Sequence, residues 1–200
     1  MSIAILKYGS SNISSLSNCL KSQNIKHYVC SSKKDLSYAT TIILPGVGTY
    51  EDVIDEIKTN NTFEVIKKKA AEGYKIIGIC IGMQIMADYG KELYKRKTKG
   101  LGIINGEVIK MNQFHIGWNN LIDSSKSQKF KIFNEKSFYF NHSNCMKLKN
   151  KKNQIFYSNI GSYNVPSLIV NKNIFGFQFH PEKSQIFGNK ILKHIINHKI

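Results

Sequence analysis

Arginine is nearly missing from this chain. Arg96 is the only one in 200 residues, although Lys and Arg together number 29 against 13 Asp and Glu, a formal charge of +16. The planar guanidinium fork is what makes bidentate contacts to phosphates and base edges. So basic a chain with one arginine argues against a nucleic-acid partner. Its lysines, scattered apart from short runs at 67–69 and 149–152, read as solvated surface charge. Long apolar runs are missing too. None approaches the roughly 20 residues that span a bilayer, and the apolar part of MSIAILKYGSSN is too short for a signal peptide. No membrane association and a cytoplasmic location are expected. Paired cysteines are also lacking. Cys19, Cys30, Cys80 and Cys145 form no CxxC, which argues against a zinc site, and no metal or cofactor is expected. Free thiols in a reducing compartment fit this usage.

What the chain does have is enough apolar content for a core. Hydrophobic residues make up 42% of it, and no repeat, low-complexity stretch or linker divides it, so 1–200 reads as one domain. SIAILKY, KHYVC, TTIIL and KIIGIC are short apolar runs of the strand type. Between them, Ile13–Lys21, Glu51–Lys58 and Thr62–Glu72 have helical spacing, with Asn12 as a cap and Gly73 as a stop. A further helix is expected from about Ile81 to Tyr89. Strands that are apolar throughout, rather than alternating, belong to a parallel sheet buried on both faces. Between residues 100 and 180, GEVIKM, FHIGWNNL, FYFNHS, QIFYSN, PSLIVN and IFGFQFH read as antiparallel additions, and ILKHIINH as a closing helix. The fold class is α/β: a central, mostly parallel sheet flanked by helices, with antiparallel additions.

Gly78-Ile79-Cys80-Ile81-Gly82 has the form G-x-C-x-G at a strand-to-helix junction, the thiol counterpart of a nucleophile elbow. A nucleophile on such a turn takes a strained backbone, and side chains two positions to either side would clash. The helix start favours a thiolate, and the N–H of Ile81 points where an oxyanion would form. The pentapeptide alone is equally compatible with a buried cysteine between packing glycines. A thiol nucleophile needs a base, and the base an orienter. His180 ends an alternating apolar strand at Pro181, and Glu182 is two residues on, on the same side of an extended segment. Cys80, His180 and Glu182 are thus a candidate triad. Pro45-Gly46-Val47-Gly48 closes another strand, at the edge where open α/β sheets bind ligands. It lacks a nucleotide-binding signature and fits better as a donor of backbone N–H groups to an oxyanion.

PGVG, GICIGMQ and GFQFHPEKS, in that order, resemble the class I (triad) glutamine amidotransferases. GLGIINGEV at 100–108, FHIGWN at 114–119, FYFNHS at 138–143 and the opening YGSSN narrow this to the glutaminase subunit of imidazole glycerol phosphate synthase. The resemblance covers nearly the whole chain. It implies that Cys80 attacks the carboxamide of glutamine, that His180 moves the proton and that Glu182 orients His180. It places the oxyanion on the N–H of Ile81 and on backbone at Gly46, Val47 and Gly48, and glutamine on Gln84, Glu92, His142 and Ser143. It implies a heterodimer with a (β/α)8-barrel cyclase subunit, with His115, Trp118, Asn119 and Lys183 at the interface. Ammonia would pass to that cyclase, which makes imidazole glycerol phosphate and AICAR in histidine biosynthesis. A peptidase on a similar sheet is disfavoured by the glutamine-binding matches. The chain departs from the family at Lys7, Ser11, Phe114 and Asn144, where Asp, Gly, Pro and an aromatic are usual. These departures leave an alternative: a paralogue supplying ammonia to a sugar-precursor amidotransferase of surface polysaccharide synthesis.

Overall fold

A computed structural model describes residues 2–9, 12–92, 97–124, 130–149 and 154–198. The strands are β1 (Ile3–Leu6), β2 (Tyr28–Cys30), β3 (Thr41–Leu44), β4 (Lys75–Ile79), β5 (Tyr89–Gly90), β6 (Thr98–Lys99), β7 (Gly106–Asn120), β8 (Ile122–Asp123), β9 (Ser137–Leu148), β10 (Gln154–Ile160), β11 (Tyr163–Asn171) and β12 (Ile174–Phe177). The helices are α1 (Ile13–Lys21), α2 (Lys33–Ser37), α3 (Tyr50–Thr59), α4 (Phe63–Ala71), α5 (Ile81–Gln84) and α6 (Gln185–Asn197). The main sheet runs β2-β1-β3-β4-β12-β11-β10-β8. Its first five strands are parallel, and β11, β10 and β8 follow antiparallel. A smaller sheet, β6-β5-β7-β9, is dominated by the long β7–β9 hairpin.

The apolar runs behave as double-sided burial requires. Successive residues of β3 and β4 fall into opposite cores: Ile42, Leu44 and Ile76 on one face, Ile43, Ile77 and Ile79 on the other. Among the described residues no helix is long and apolar enough to cross a membrane.

Three expectations need correction. IFGF pairs parallel with β4, in register Ile174 with Ile76, so it belongs to the parallel core and not to the antiparallel additions. The helix expected from Ile81 to Tyr89 stops at Gln84. Its continuation is pre-empted: the carbonyls of Ile85, Met86 and Ala87 accept from Leu101, Ile103, Ile104 and Gly102 at 2.8–3.0 Å. A short helix, α2, stands where the periodicity indicates none. It is capped by Ser32, whose side chain accepts from Asp35 N–H.

Lys75, at the start of β4, is buried, and its ammonium donates to the carbonyls of Ile195, Ile196 and His198 at 2.7–2.8 Å. It thereby closes the C-terminus of α6, where orphan carbonyls and the helix dipole both favour a cation.

At the opposite end of β4 the backbone is crowded. A Cβ on Gly78 would stand 2.5 Å from the carbonyl oxygen of Gly82, and one on Gly82 would overlap the carbonyl of Leu44 in β3. Backbone atoms cannot swing aside as a side chain can. Gly82→Ala is therefore expected to lower the free energy of unfolding by about 1–3 kcal/mol. A urea midpoint shift at unchanged m-value checks this.

Candidate active site

The carboxyl ends of β1, β3, β4 and β12 converge. Residues that follow each of them form one site.

Cys80 follows β4 directly and has φ +50° and ψ −109°, a region that side chains other than glycine seldom occupy. Two sets of hydrogen bonds hold it there. Its N–H donates to Phe177 O on β12 at 2.6 Å, and its carbonyl accepts from Met83 and Gln84 N–H at 3.0 Å, starting α5. The sulfur lies 3.8 Å from Asn141 O and 3.8 Å from Gln178 Nε2. The loop after β3 packs against this turn, since a Cβ on Gly46 would come 2.9 Å from that of Cys80. The Tyr8 hydroxyl, fully buried, donates to Pro45 O and anchors that loop from β1. Among the described residues, the N–H groups of Gly46, Val47 and Gly48 have no backbone acceptor within hydrogen-bond reach. Gly48 has φ +132°, which a side chain would strain.

His180 is held by its own backbone. Its N–H donates to Tyr139 O at 2.9 Å, and its carbonyl accepts from the Ser184 hydroxyl at 2.6 Å, which in turn accepts from Tyr139 N–H. Nδ1 meets Glu182 Oε1 at 2.8 Å, and the two side chains are 3% and 5% exposed. Burial disfavours a charged imidazole here. The negative charge of Cys80, its hydrogen bond to the ring and the Glu182 carboxylate outweigh burial and raise the His180 pKa to about 10. The structure thus brings Cys80, His180 and Glu182 together as a buried thiol–imidazole–carboxylate array.

The other expected site residues divide. Gln84 is buried on α5 and donates through Nε2 to Asn144 O at 2.9 Å and to Gln178 Oε1 at 3.1 Å. Glu92 follows β5 and lies against the N-terminus of α3. Its carboxylate accepts from Tyr50 N–H at 2.8 Å, and its N–H donates to Glu51 at 2.8 Å. A cleft of about 390 Å3 beside Glu92 is lined by Tyr89, Lys97, Glu107 and Lys110, and neither Cys80 nor His180 borders it. Ser143 is half-buried on β9. His142 is buried, and both its ring nitrogens are engaged within the protein, by His115 Nδ1 at 2.9 Å and Asn144 O at 2.8 Å. His115 is buried and stacked on Phe140 at 4.2 Å. The alternation of β7 explains this, because Phe114, Ile116 and Trp118 point outward on either side of it. Trp118 packs edge-on to Tyr139, and the Lys183 ammonium lies over the same Tyr139 ring. Asn119 is half-buried and bonded to His115 Nε2 at 3.3 Å.

Two residues escape a reading of the sequence alone. Gln178 lies two positions before His180, just past β12, and a fully buried amide in an apolar run is the available signal. Tyr8 gives no comparable signal. Of the departing positions, Lys7 is exposed, Phe114 is 75% exposed and Asn144 is buried; Ser11 lies outside the described residues. Among the described residues no cluster of His, Cys, Asp or Glu is arranged to hold a metal.

Comparison with known proteins agrees with this geometry. Residues 4–198 match the family model described as "Glutamine amidotransferase class-I". The chain is 34% identical over 197 residues to the "Imidazole glycerol phosphate synthase subunit HisH" of Lactococcus lactis, covering 96% of each chain. It is 35% identical over 198 residues to the protein of the same name from Staphylococcus aureus, covering 97% of this chain and 96% of that one. Among solved structures it resembles "Structure of PurLQS from Thermotoga maritima", with TM-score 0.76, 19% identity and coverage of 98% and 97%. It also resembles a glutamine amido transferase from Methylobacillus flagellatus, with TM-score 0.64, 16% identity and coverage of 97% and 74%. These structural likenesses show a shared fold.

Burial pulls the His115 pKa down to about 4 and, through burial first and the neighbouring rings after it, His142 to about 3. Both are therefore neutral when folded, while the unfolded chain protonates them near 6.5. The folded state then binds fewer protons, so stability falls as pH drops below 6.5 toward those folded values. Each ring contributes at most about 1.4 kcal/mol per pH unit. Urea midpoints between pH 6.5 and 4.5 are expected to fall, and to fall less steeply in His115→Asn.

Proposed function

The chain belongs to the class-I glutamine amidotransferase family, and from that premise we propose how its site works and what it serves. It is a glutamine amidotransferase, the glutaminase subunit of an imidazole glycerol phosphate synthase of histidine biosynthesis. The observation that carries the catalytic assignment is Cys80 at positive φ on a strand–helix elbow, facing a His180 whose other nitrogen is held by Glu182.

The Cys80 thiolate attacks the side-chain carbonyl carbon of glutamine, forming the C–S bond and moving the π electrons to oxygen. The N–H groups of Ile81 and of the Gly46–Gly48 loop stabilise that oxyanion. The tetrahedral adduct collapses and the C–N bond breaks as His180 gives its proton to the leaving ammonia. Neutral His180 next deprotonates a water that attacks the thioester. The second collapse releases glutamate and restores the thiolate–imidazolium pair. Glu182 keeps the imidazole in one orientation and stabilises its charged form in both steps. We assign glutamine to the space between the Gly46–Gly48 loop and α5, with Ser143, Glu92 and Gln84 as its candidate contacts.

The ammonia passes to a partner protein. We assign that role to the (β/α)8-barrel cyclase and place it on the surface made by Trp118, Asn119 and Lys183, where Phe114 and Ile116 add exposed apolar area. A cytoplasmic location follows from that pathway. The names of the relatives favour this acceptor over a sugar-precursor amidotransferase.

Cys80→Ala is expected to abolish synthesis driven by glutamine, a loss of at least about a thousandfold, while ammonium salts still support product formation by the complex. Steady-state assays of the reconstituted complex with each nitrogen source check this. Equal loss with both sources would remove Cys80 from its assigned role.

A further inference from the structure

The loop that carries the candidate oxyanion donors is held in place by its neighbours. Among the described residues the N–H groups of Gly46, Val47 and Gly48 find no backbone acceptor. Two of these three residues are glycines, which have the most conformational freedom to lose. The far end of the loop is fixed by α3. The Thr49 side chain caps that helix by accepting from Asp52 N–H, and Tyr50 N–H donates to Glu92 at 2.8 Å. At the near end the Tyr8 hydroxyl, just past β1, donates to Pro45 O. A Cβ on Gly82 would come 2.9 Å from the same oxygen, so that carbonyl is confined between the phenol and the first turn of α5. The two anchors are joined behind the loop, because Gly9 N–H donates to the Glu56 carboxylate of α3 at 2.6 Å.

We propose that Tyr8 is a positioning residue of the oxyanion loop, that its hydroxyl sets the direction of the Gly46 N–H by fixing the Pro45 carbonyl, and that Glu56 holds the Tyr8 segment in place for this. The inference rests on the reading of Cys80 as the nucleophile and of this loop as its oxyanion donor. Its physical basis is the rigidity of the peptide plane. Among the described residues no peptide bond is cis. Across a trans peptide the C=O and the following N–H point in opposite directions. A carbonyl held at its oxygen therefore fixes the donor on the other side. Oxyanion donors stabilise the transition state when they are aimed before the charge develops, and a loop with glycines at 46 and 48 does not aim itself. Tyr8 suits the task. Its ring is fully buried in the same core as Leu44 and Tyr50, so the hydroxyl cannot swing out to water. Burial first, then the neighbouring Cys80 and Glu56, raise the Tyr8 pKa above its ordinary value, so the phenol keeps the hydrogen that it donates.

Tyr8→Phe removes the hydroxyl and leaves the ring, so it tests the bond with the core still filled. In the reconstituted complex, kcat for glutamine hydrolysis should fall roughly tenfold, the scale of one buried hydrogen bond, with KM little changed. Alkylation of Cys80 by iodoacetamide, followed by mass spectrometry of its peptide, should keep its rate and its pH midpoint. That reaction displaces iodide at a saturated carbon and develops no oxyanion, so it reports the nucleophile without the loop. Glu56→Ala should lower kcat by less, roughly threefold. Glu56→Gln, which still offers an acceptor to Gly9 N–H, should recover most of that loss. A Tyr8→Phe kcat within about twofold of wild type, less than one hydrogen bond is worth, would overturn the proposal. So would a loss carried by KM alone, which would make the loop an element of glutamine binding. An alkylation midpoint that moves with kcat would overturn it too, since Tyr8 would then act on the sulfur. If Tyr8→Phe does not fold, the Glu56 pair decides, and a Glu56→Ala kcat equal to wild type overturns the proposal. Retained glutaminase activity in Cys80→Ala would instead overturn the nucleophile assignment, an outcome separate from any result at Tyr8.

Discussion

The geometry of the site depends on one backbone contact: the first turn of α5 pressed against the carbonyl end of β3, with no side chain between them at Gly82. That contact lets the chain reverse within two residues of β4. The reversal forces Cys80 into positive φ, and hydrogen bonds to Phe177 and from Met83 and Gln84 hold it there. The same closeness brings the loop at Gly46 against Cys80, so one packing event positions the thiol and the candidate oxyanion donors together. The strain at Cys80, of order 1–3 kcal/mol, is sustained because β4 is enclosed on both faces by the two cores.

Around this turn the interior is unusually polar for so apolar a sheet. Gln84, Gln178, His115, His142 and His180 are all buried, yet each makes directed hydrogen bonds. Unpaired, such groups would each cost about 1–3 kcal/mol. Paired, they fix one arrangement, because reversing a single amide or tautomer leaves its neighbours mismatched. The two kinds of histidine show how environment decides charge. Burial lowers the pKa of His115 and His142, whereas the Cys80 sulfur and the Glu182 carboxylate beside His180 outweigh burial and raise its pKa to about 10.

Much of this is legible in the sequence, for definite reasons. Apart from Thr41 and Lys75 at their first positions, Ile3–Leu6, Thr41–Leu44 and Lys75–Ile79 are apolar and do not alternate, as a sheet covered on both sides requires. The glycines around Cys80 and the His180–Glu182 spacing encode local geometry, so they can be read locally. What is illegible depends on distant partners. Ile174–Phe177 contains nothing that specifies its direction, and its parallel pairing is set by β4. The helix after Cys80 is cut short by carbonyl acceptors claimed by residues 101–104, which no window around residue 85 contains. The motif around His115 points to the surface, but strand alternation buries that ring between two exposed neighbours.

The buried ammonium of Lys75 has a mechanical meaning beyond helix capping. It sits at the head of the strand that ends in Cys80, and it grips the far end of the helix that begins just after His180. The two segments bearing the thiol and the imidazole are thus tied at both ends, forming a closed frame. In such a frame the length of α6 acts as a ruler. Adding or deleting one residue in that helix would rotate its last carbonyls by about 100° away from the ammonium. The mismatch would be felt at the opposite corner, in the spacing between sulfur and imidazole. Residues 185–197 are accordingly constrained in number more tightly than in identity.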